Sequence, residues 1–172
     1  MPDFPDRFPF SRSPLPPSVL VTGANGLLGQ APVERLMDEE VTVTATARDD
    51  TLRADADCDY RPMDVTDPDA VRAAFEAVEP DVVVNCAAMS DVAACDEDRN
   101  RAWTTNARAV KRLAKRCKER RAHLIQVSTD FVFNGKRGPY DESARPDPVN
   151  YYGRTKLAAE NALREVGVPD WT

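Results

Sequence analysis

Short apolar runs alternate with amphipathic stretches along most of the chain. Runs of apolar and β-branched residues are typical of strands, whereas apolar residues three or four apart are typical of helices. The strand pattern occurs in SVLVTG, VTVTATA, DVVVNCAA and HLIQVST, and a shorter strand ends at Asp64. The helix pattern occurs in GLLGQAPVERLMDE, DPDAVRAAFEAV, RAWTTNARAVKRLAKRCKERR and YYGRTKLAAENALREV. This alternation predicts right-handed βαβ units and an α/β fold with a doubly wound parallel sheet of about five strands.

Proline positions indicate where elements begin and end. Residues 1–17, MPDFPDRFPFSRSPLPP, are aperiodic and rich in proline, so we predict a disordered arm followed by one domain over residues 18–172. Asp67 is the expected N-cap of the second helix, with Pro68 at its first position. Pro32 lies inside the first helix, where it removes a backbone hydrogen bond. The pattern leaves open whether that helix kinks or tolerates the proline.

Composition narrows the functional classes. The 172 residues are 42% hydrophobic and 30% charged, which fits one folded domain. No apolar run reaches membrane-spanning length and the N-terminus has no apolar signal core, so we expect a cytoplasmic location. The net charge of -6 disfavours nucleic acid as a partner. Four cysteines without a C-x-x-C pair, and a single histidine that we expect near the surface, His123, argue against a zinc site.

A glycine-rich loop follows the first predicted strand. In VTGANGLLGQ, three glycines lie between a strand and a helix, as in dinucleotide-binding loops. Gly23 permits the tight turn, Gly26 lets a pyrophosphate approach the backbone, and Gly29 lets the helix pack against the strand. The N–H groups and dipole of the helix N-terminus then favour phosphates. A plain βα turn is the alternative.

The end of the second strand bears on the choice of cofactor. An acidic residue there bonds the adenosine ribose of NAD, whereas an arginine accommodates the 2′-phosphate of NADP. Arg48 comes first in TARDD and Asp49 follows it, so we predict NADPH, with NADH as an alternative. A solvated role for Arg48 also stays open. Asp64 either reaches the adenine or closes a turn.

The last predicted helix carries a tyrosine and a lysine at a suggestive spacing. Residues four apart share a helix face, so Lys156 lines up with Tyr152 and not with Tyr151. A tyrosine near its ordinary pKa of about 10 is a poor acid–base catalyst at neutral pH, and a nearby ammonium lowers that pKa. The spacing is common by chance, but here it follows a dinucleotide loop by several βα units.

Four motifs in this order resemble the extended short-chain dehydrogenase/reductase family. They are TGANGLLGQ, VVVNCAAMSDV, STDFVF and PVNYYGRTKLAAE, and the resemblance covers nearly everything from Ser18 onward. It is strongest to the subgroup that reduces nucleotide-linked 4-keto sugars. It implies a Rossmann-like sheet that binds a nicotinamide cofactor, with the reacting groups at the carboxyl edge of the strands.

The resemblance also implies a role for each matching residue. Tyr152 would be the general acid that protonates the substrate oxygen, and Lys156 would hold the nicotinamide ribose and lower the pKa of Tyr152. Thr129 would bond the substrate carbonyl, and Asn106 would support a proton-relay water. Ser128 would lie beside the nicotinamide or merely close the strand end. The other cofactor-binding residues implied by the loop and the resemblance are Asn25, Leu27, Leu28, Val65, Asn85, Ala87 and Ala88.

Two departures from the subgroup affect the functional prediction. The subgroup usually carries an acidic residue after the valine of T-x-V-D, and here Ala93 follows Val92. Its members also continue into later strands and a substrate lobe, so we expect a chain truncated before them. We predict an NADPH-dependent reductase of a nucleotide-linked 4-keto sugar, as a homo-oligomer or with a complementing chain. The alternatives are a non-catalytic NADP-binding regulatory subunit and a sugar-nucleotide epimerase or dehydratase.

Overall fold

The chain folds around one parallel sheet. The structure is a computed structural model that describes residues 15–168, so residues 1–14 of the predicted arm lie outside the described part. The strands are β1 Ser18–Thr22, β2 Thr42–Ala47, β3 Asp59–Pro62, β4 Val82–Asn85 and β5 His123–Gln126. They are ordered β3-β2-β1-β4-β5 and every pair is parallel. The predicted α/β fold with about five strands is confirmed.

Six α-helices connect or follow these strands within the described residues. They are α1 Leu27–Leu36, α2 Pro68–Val78, α3 Val92–Glu97, α4 Arg99–Trp103, α5 Ala109–Arg120 and α6 Tyr151–Val166. The pattern predicted one α-helix over the stretch from Arg101, but a π-helical segment, Thr104–Arg108, joins α4 to α5. A short 3₁₀ turn, Asp130–Val132, follows β5. Helix α3 was not predicted, because six residues are too few to show helical periodicity.

Both faces of the sheet are covered, which explains its apolar strands. On one face the sheet packs against α2, α5 and α6, through a core that includes Leu20, Phe75, Val83, Leu113, Leu124 and Leu163. On the other face it packs against α1, through Val19, Val21, Val33, Val43 and Val82. The chain winds outward in opposite directions from β1 and β4, so a crevice opens at their carboxyl ends.

Two helices accommodate a proline, α2 at its first position and α1 in its interior. The Asp67 side chain accepts hydrogen bonds from the N–H groups of Asp69 and Ala70, and Pro68 is the first residue of α2. Helix α1 continues through Pro32 to Leu36. The carbonyl that Pro32 leaves without its helical donor belongs to Leu28, which is 52% exposed. Water can therefore replace the missing donor, and the helix tolerates the proline.

Several polar and thiol groups are buried in the fold. His123 was expected near the surface, but only 7% of it is exposed, because it begins β5 and pairs in register with Val82. The four cysteines are free thiols, and Cys95 and Cys117 are buried. Among residues 15–168, no helix is long and apolar enough to cross a membrane. The same residues contain no cluster of histidine, cysteine and acidic side chains suited to a metal ion.

Candidate active site

A groove of about 500 Å³ opens where β1 and β4 diverge. Eight of the predicted cofactor residues line it: Gly23, Asn25, Gly26, Arg48, Asp64, Val65, Ala87 and Ala88. Leu27 and Leu28 lie beside it at the start of α1, and Leu27 is 96% exposed. The remaining predicted positions do not line it; they are Gly29, Asn85, Ser128 and Lys156.

The glycine loop is packed too tightly for side chains at two of its three glycines. Gly23 has φ of +69°, and a Cβ there would lie 2.6 Å from the backbone nitrogen of Ala87, in the loop after β4. A Cβ on Gly29 would lie 2.1 Å from the Gly23 carbonyl oxygen. At Gly26 the closest protein atom to a Cβ would be 3.2 Å away. Gly23 and Gly29 therefore serve packing, whereas a Cβ on Gly26 would meet a single protein atom, the Gly23 carbonyl oxygen.

The N-terminus of α1 suits an anionic group. Its N-cap, Gly26, provides no side-chain hydrogen bond, whereas the N-cap side chains of α2, α3 and α6 (Asp67, Asp91 and Asn150) each accept one or two N–H groups. The first N–H groups of a helix have no partner within the helix. In α1 these donors come directly after Gly26, which lines the groove, so a phosphate of a dinucleotide bound there would satisfy them.

Asn25 fixes the segment that follows β2. Its Nδ2 donates to the Asp49 carboxylate at 2.9 Å and to the Thr51 carbonyl at 2.8 Å, and its Oδ1 accepts the Arg53 N–H at 2.9 Å. The Arg53 guanidinium also pairs with Asp49 at 2.8 Å. The Asp49 carboxylate is therefore already bonded to Asn25 and Arg53. Both Arg48 and Arg53 line the groove. Sequence reasoning missed Arg53, because no periodic pattern marks this loop.

Asp64 closes a turn, and its contact with the adenine stays a prediction. Its Oδ1 accepts hydrogen bonds from both the backbone N–H and the hydroxyl of Thr66, each at 2.8 Å, which closes the turn after β3. The same residue lines the groove. The turn is held further by Arg112 of α5, whose guanidinium donates to the carbonyls of Val65 and Thr66.

Tyr152 and Lys156 share the buried face of α6, as the spacing predicted. They are 9% and 3% exposed. The Lys156 ammonium donates to the carbonyl of Val127, just after β5, at 2.6 Å. Burial lowers the pKa of Lys156, and the charges of Glu160 and Cys86 act in the opposite direction.

The electrostatics of Tyr152 differ from the expected lowering of its pKa by Lys156. Burial raises the pKa of Tyr152, and a hydrogen bond with Thr129 opposes this rise. The physical reason is that Lys156 is committed to the Val127 carbonyl, while the phenol packs at an edge-to-face angle against Phe131. Thr129 itself caps the 3₁₀ turn by accepting the Phe131 N–H at 3.2 Å. The predicted partner Thr129 is thus beside Tyr152.

Asn106 is a buried strut between the loop after β4 and α6. Its Oδ1 accepts the Met89 N–H at 2.8 Å, and its Nδ2 donates to the Met89 carbonyl and to the Thr155 hydroxyl at 2.9 and 3.0 Å. The Thr155 hydroxyl in turn donates to the Tyr152 carbonyl at 2.7 Å. Both amide hydrogens of Asn106 are used, so its support of a proton-relay water stays a prediction. Its place on a π-helical segment is typical of functional positions.

A row of buried polar side chains crosses the sheet beneath the groove. Thr22, Asn85 and Gln126 are register neighbours on β1, β4 and β5. The Thr22 hydroxyl donates to Asn85 at 2.5 Å, the Asn85 amide donates to Gln126 at 2.7 Å, and the Gln126 amide donates to the Val127 carbonyl at 2.7 Å. That carbonyl also accepts Lys156. Asn85 therefore braces the site from below instead of facing the groove.

Ser128 and Ala93 lie at the margin of the site. The Ser128 hydroxyl donates to the Glu160 carboxylate at 2.5 Å, so it closes the end of β5 onto α6. Ala93 is exposed in the first turn of α3. Nearby, the Arg99 guanidinium lies 5.1 Å from the centre of the Tyr151 ring, which leaves Tyr151 as a half-buried wall of the site.

Comparison with known proteins agrees with this arrangement. The profile of the RmlD substrate binding domain matches residues 17–171. A probable low-salt glycan biosynthesis reductase of Haloferax volcanii is 38% identical over 151 residues, 87% of this chain and 49% of that protein. The dTDP-4-dehydrorhamnose reductase of Streptomyces griseus is 39% identical over 160 residues, 92% of this chain and 48% of that protein. Methionine adenosyltransferase 2 subunit beta of Danio rerio is 33% identical over 145 residues, 84% of this chain and 43% of that protein.

A solved structure extends the comparison to three dimensions. The dTDP-4-dehydrorhamnose reductase of Bacillus anthracis in complex with NADP has a TM-score of 0.78 and 28% identity, over 91% of this chain and 52% of that chain. The present chain spans about half the length of the relatives it matches. With the family profile matching nearly its whole length, the chain belongs to the RmlD substrate binding domain family, within the extended short-chain dehydrogenases/reductases.

Proposed function

We propose that this chain forms the NADPH-binding and proton-donating part of a reductase that acts on a nucleotide-linked 4-keto sugar. The observation that carries the proposal is that Tyr152 lies beside Thr129 and shares the buried face of α6 with Lys156, at the sheet edge that also holds the glycine groove. The substrate class is supported by the reductases among the relatives. A cytoplasmic location, and completion by a second copy or another chain, belong to the same proposal.

The groove fits a dinucleotide with a 2′-phosphate. The open N–H groups of α1 and the bare surface at Gly26 suit the pyrophosphate. Arg48 suits the adenosine phosphate, since Asp49 is already paired with Arg53. A relative of known structure is bound to NADP, which supports NADPH over NADH. When bound, NADPH supplies a hydride to the keto carbon.

Tyr152 is suited to deliver the accompanying proton to the keto oxygen. Because burial raises its pKa, the phenol holds its proton at neutral pH, which is the form that reduction requires. The Thr129 hydroxyl lies beside it and can donate a second hydrogen bond to the same oxygen. As the proton leaves, the hydrogen bond with Thr129, which opposes the rise in the pKa of Tyr152, favours the phenolate.

The direct test replaces each of the two adjacent tyrosines. We expect Tyr152→Phe to lower turnover of a dTDP-linked 4-keto-6-deoxy sugar by about 10²- to 10⁴-fold, because a proton donor is lost. Tyr151→Phe is the matched control and should retain turnover, since it lies off the face of Lys156. NADPH affinity, followed by the cofactor's fluorescence, should be unchanged in both. Equal turnover of Tyr152→Phe and the unsubstituted chain would refute the proposal.

A regulatory subunit is the second candidate, favoured by the 33% identity to methionine adenosyltransferase 2 subunit beta. This candidate predicts NADPH binding without turnover of any 4-keto sugar nucleotide. It also predicts that Tyr152→Phe leaves the function of a larger partner enzyme unaffected. The same two measurements therefore separate the candidates.

A further inference from the structure

Glu160 continues the functional face of α6 beyond Lys156. Tyr152, Lys156 and Glu160 are successive at spacings of four, so their side chains lie in one row along the helix. The Glu160 side chain is only 18% exposed, although glutamates ordinarily lie at the surface. Its carboxylate accepts the Ser128 hydroxyl at 2.5 Å, and Arg164 lies 3.5 Å away, one turn further along.

We propose that Glu160 is a positioning residue that acts as the counter-charge of Lys156 and fixes the segment between Val127 and Thr129 opposite Tyr152. The inference deepens the proposed function, because it concerns how Lys156 and Thr129 are held in place for that role. It assigns to Glu160 a task that neither the glycine loop nor the Tyr-x-x-x-Lys spacing predicts.

The charge argument follows from the surroundings of Lys156. An ammonium that is 3% exposed loses most of its hydration, which favours the neutral amine. Two titratable groups act against this effect, Glu160 on α6 and Cys86 after β4. Burial raises the pKa of the Cys86 thiol, so that thiol is neutral at neutral pH, as is Tyr152. Of these two groups, the Glu160 carboxylate is therefore the one that we assign as the counter-charge of Lys156.

The geometric argument follows from the end of β5. Two consecutive residues there are tied to α6, since Lys156 bonds the Val127 carbonyl and Glu160 bonds the Ser128 hydroxyl. The next residue, Thr129, is the one that meets Tyr152. Loss of the Glu160 carboxylate would leave this segment attached to α6 through Lys156, whose own charge would then be less favoured.

The test measures Lys156 directly and needs no turnover. The side-chain ammonium signals of the 172-residue chain are followed by NMR as pH rises, and the Lys156 signal is identified by its loss in Lys156→Arg. In Glu160→Gln, which keeps the shape and an acceptor for Ser128, the midpoint of Lys156 should move to lower pH. In Glu160→Asp, which keeps the charge, the midpoint of Lys156 should stay close to that of the unsubstituted chain. Glu165→Gln is the matched control, because it removes one negative charge from an exposed face of the same helix.

Cofactor binding and a second variant complete the test. At neutral pH, Glu160→Gln should weaken NADPH binding by about fivefold, the effect of losing one partly buried charge pair, whereas Glu165→Gln should not change it. Ser128→Ala should shift the Lys156 midpoint less than Glu160→Gln does, because it leaves the carboxylate in place. Equal Lys156 midpoints in Glu160→Gln and Glu165→Gln, or a larger shift in Ser128→Ala, would overturn the inference. Either result would leave the outcome of Tyr152→Phe, and with it the proposed function, untouched.

Discussion

The glycine loop permits a prediction that separates packing from ligand binding. A methyl group on Gly29 would lie 2.1 Å from the Gly23 carbonyl oxygen and 2.9 Å from the Cα of Ala24. Ordinary carbon–oxygen contacts are about 3.3 Å or longer, so α1 would have to withdraw by about 1 Å. The obstructing atoms are backbone and cannot rotate away. Overpacking of this kind costs about 1–3 kcal/mol, so Gly29→Ala should lower the free energy of unfolding by that amount.

The matched control is Gly26→Ala at the next glycine. Its backbone, with φ of -74° and ψ of 162°, is open to any residue, and the new methyl would meet one protein atom at 3.2 Å. We expect its free energy of unfolding to fall by about 1 kcal/mol or less, because the contact needs a shift of only a few tenths of an ångström and alanine is a poorer N-cap than glycine. Its NADPH affinity should nevertheless fall, because the methyl occupies the surface that a pyrophosphate would approach.

Both variants are compared by urea denaturation followed by circular dichroism and by NADPH fluorescence titration. Gly29→Ala should lose stability and affinity together, because displacement of α1 also moves its first N–H groups. Gly26→Ala should lose affinity with a smaller loss of stability than Gly29→Ala. A Gly29→Ala protein as stable as the unsubstituted chain would refute the packing argument, and unchanged NADPH affinity of Gly26→Ala would refute the binding argument.

Three further predictions concern buried polar groups. Asn106→Ala leaves the Met89 N–H and the Thr155 hydroxyl without their partner, so the free energy of unfolding measured in urea should fall by about 1–3 kcal/mol; no fall would argue against the strut. Burial raises the pKa of Cys117 from 9.0 to about 12, so the unfolded chain loses this proton first and stability should fall as pH rises from about 9 toward 12. Cys117→Ala should flatten that fall in melting experiments, and an unchanged slope would contradict the assignment. Because the pKa of Lys156 is lowered below 10.5 in the folded chain, Lys156→Met should gain more stability over the unsubstituted chain at pH 7 than at pH 10; a pH-independent difference would contradict it.

Features set by nearby residues were predictable from the sequence. The alternation of strands and helices, the cap formed by Asp67, and the pairing of Tyr152 with Lys156 on one face all depend on spacing within a few residues. The glycine loop also belongs to this group, since its turn and packing are encoded in nine residues.

Features that depend on contacts between distant segments were not predictable. The raised pKa of Tyr152 reflects burial against residues that follow β5, and the commitment of Lys156 to Val127 crosses 29 positions of sequence. The strut made by Asn106 joins residues 49 positions apart. The hydrogen bond from Asn25 to Asp49 likewise comes from the glycine loop and not from the strand of Asp49. No periodic pattern records such pairings.

The carbonyl of Val127 is a junction between two parts of the molecule that could otherwise be exchanged separately. It accepts Lys156 from one side and, through Gln126 and Asn85, ends the row that starts at Thr22 on the strand before the glycine loop. Transfer of this loop and β1 into another sheet would therefore also change the surroundings of the Val127 carbonyl to which Lys156 is bonded. A functional chimera would have to keep the side-chain amides of Asn85 and Gln126 together with the glycine loop. The unit that can be exchanged is therefore the set of neighbouring strands β1, β4 and β5, and not the glycine loop alone.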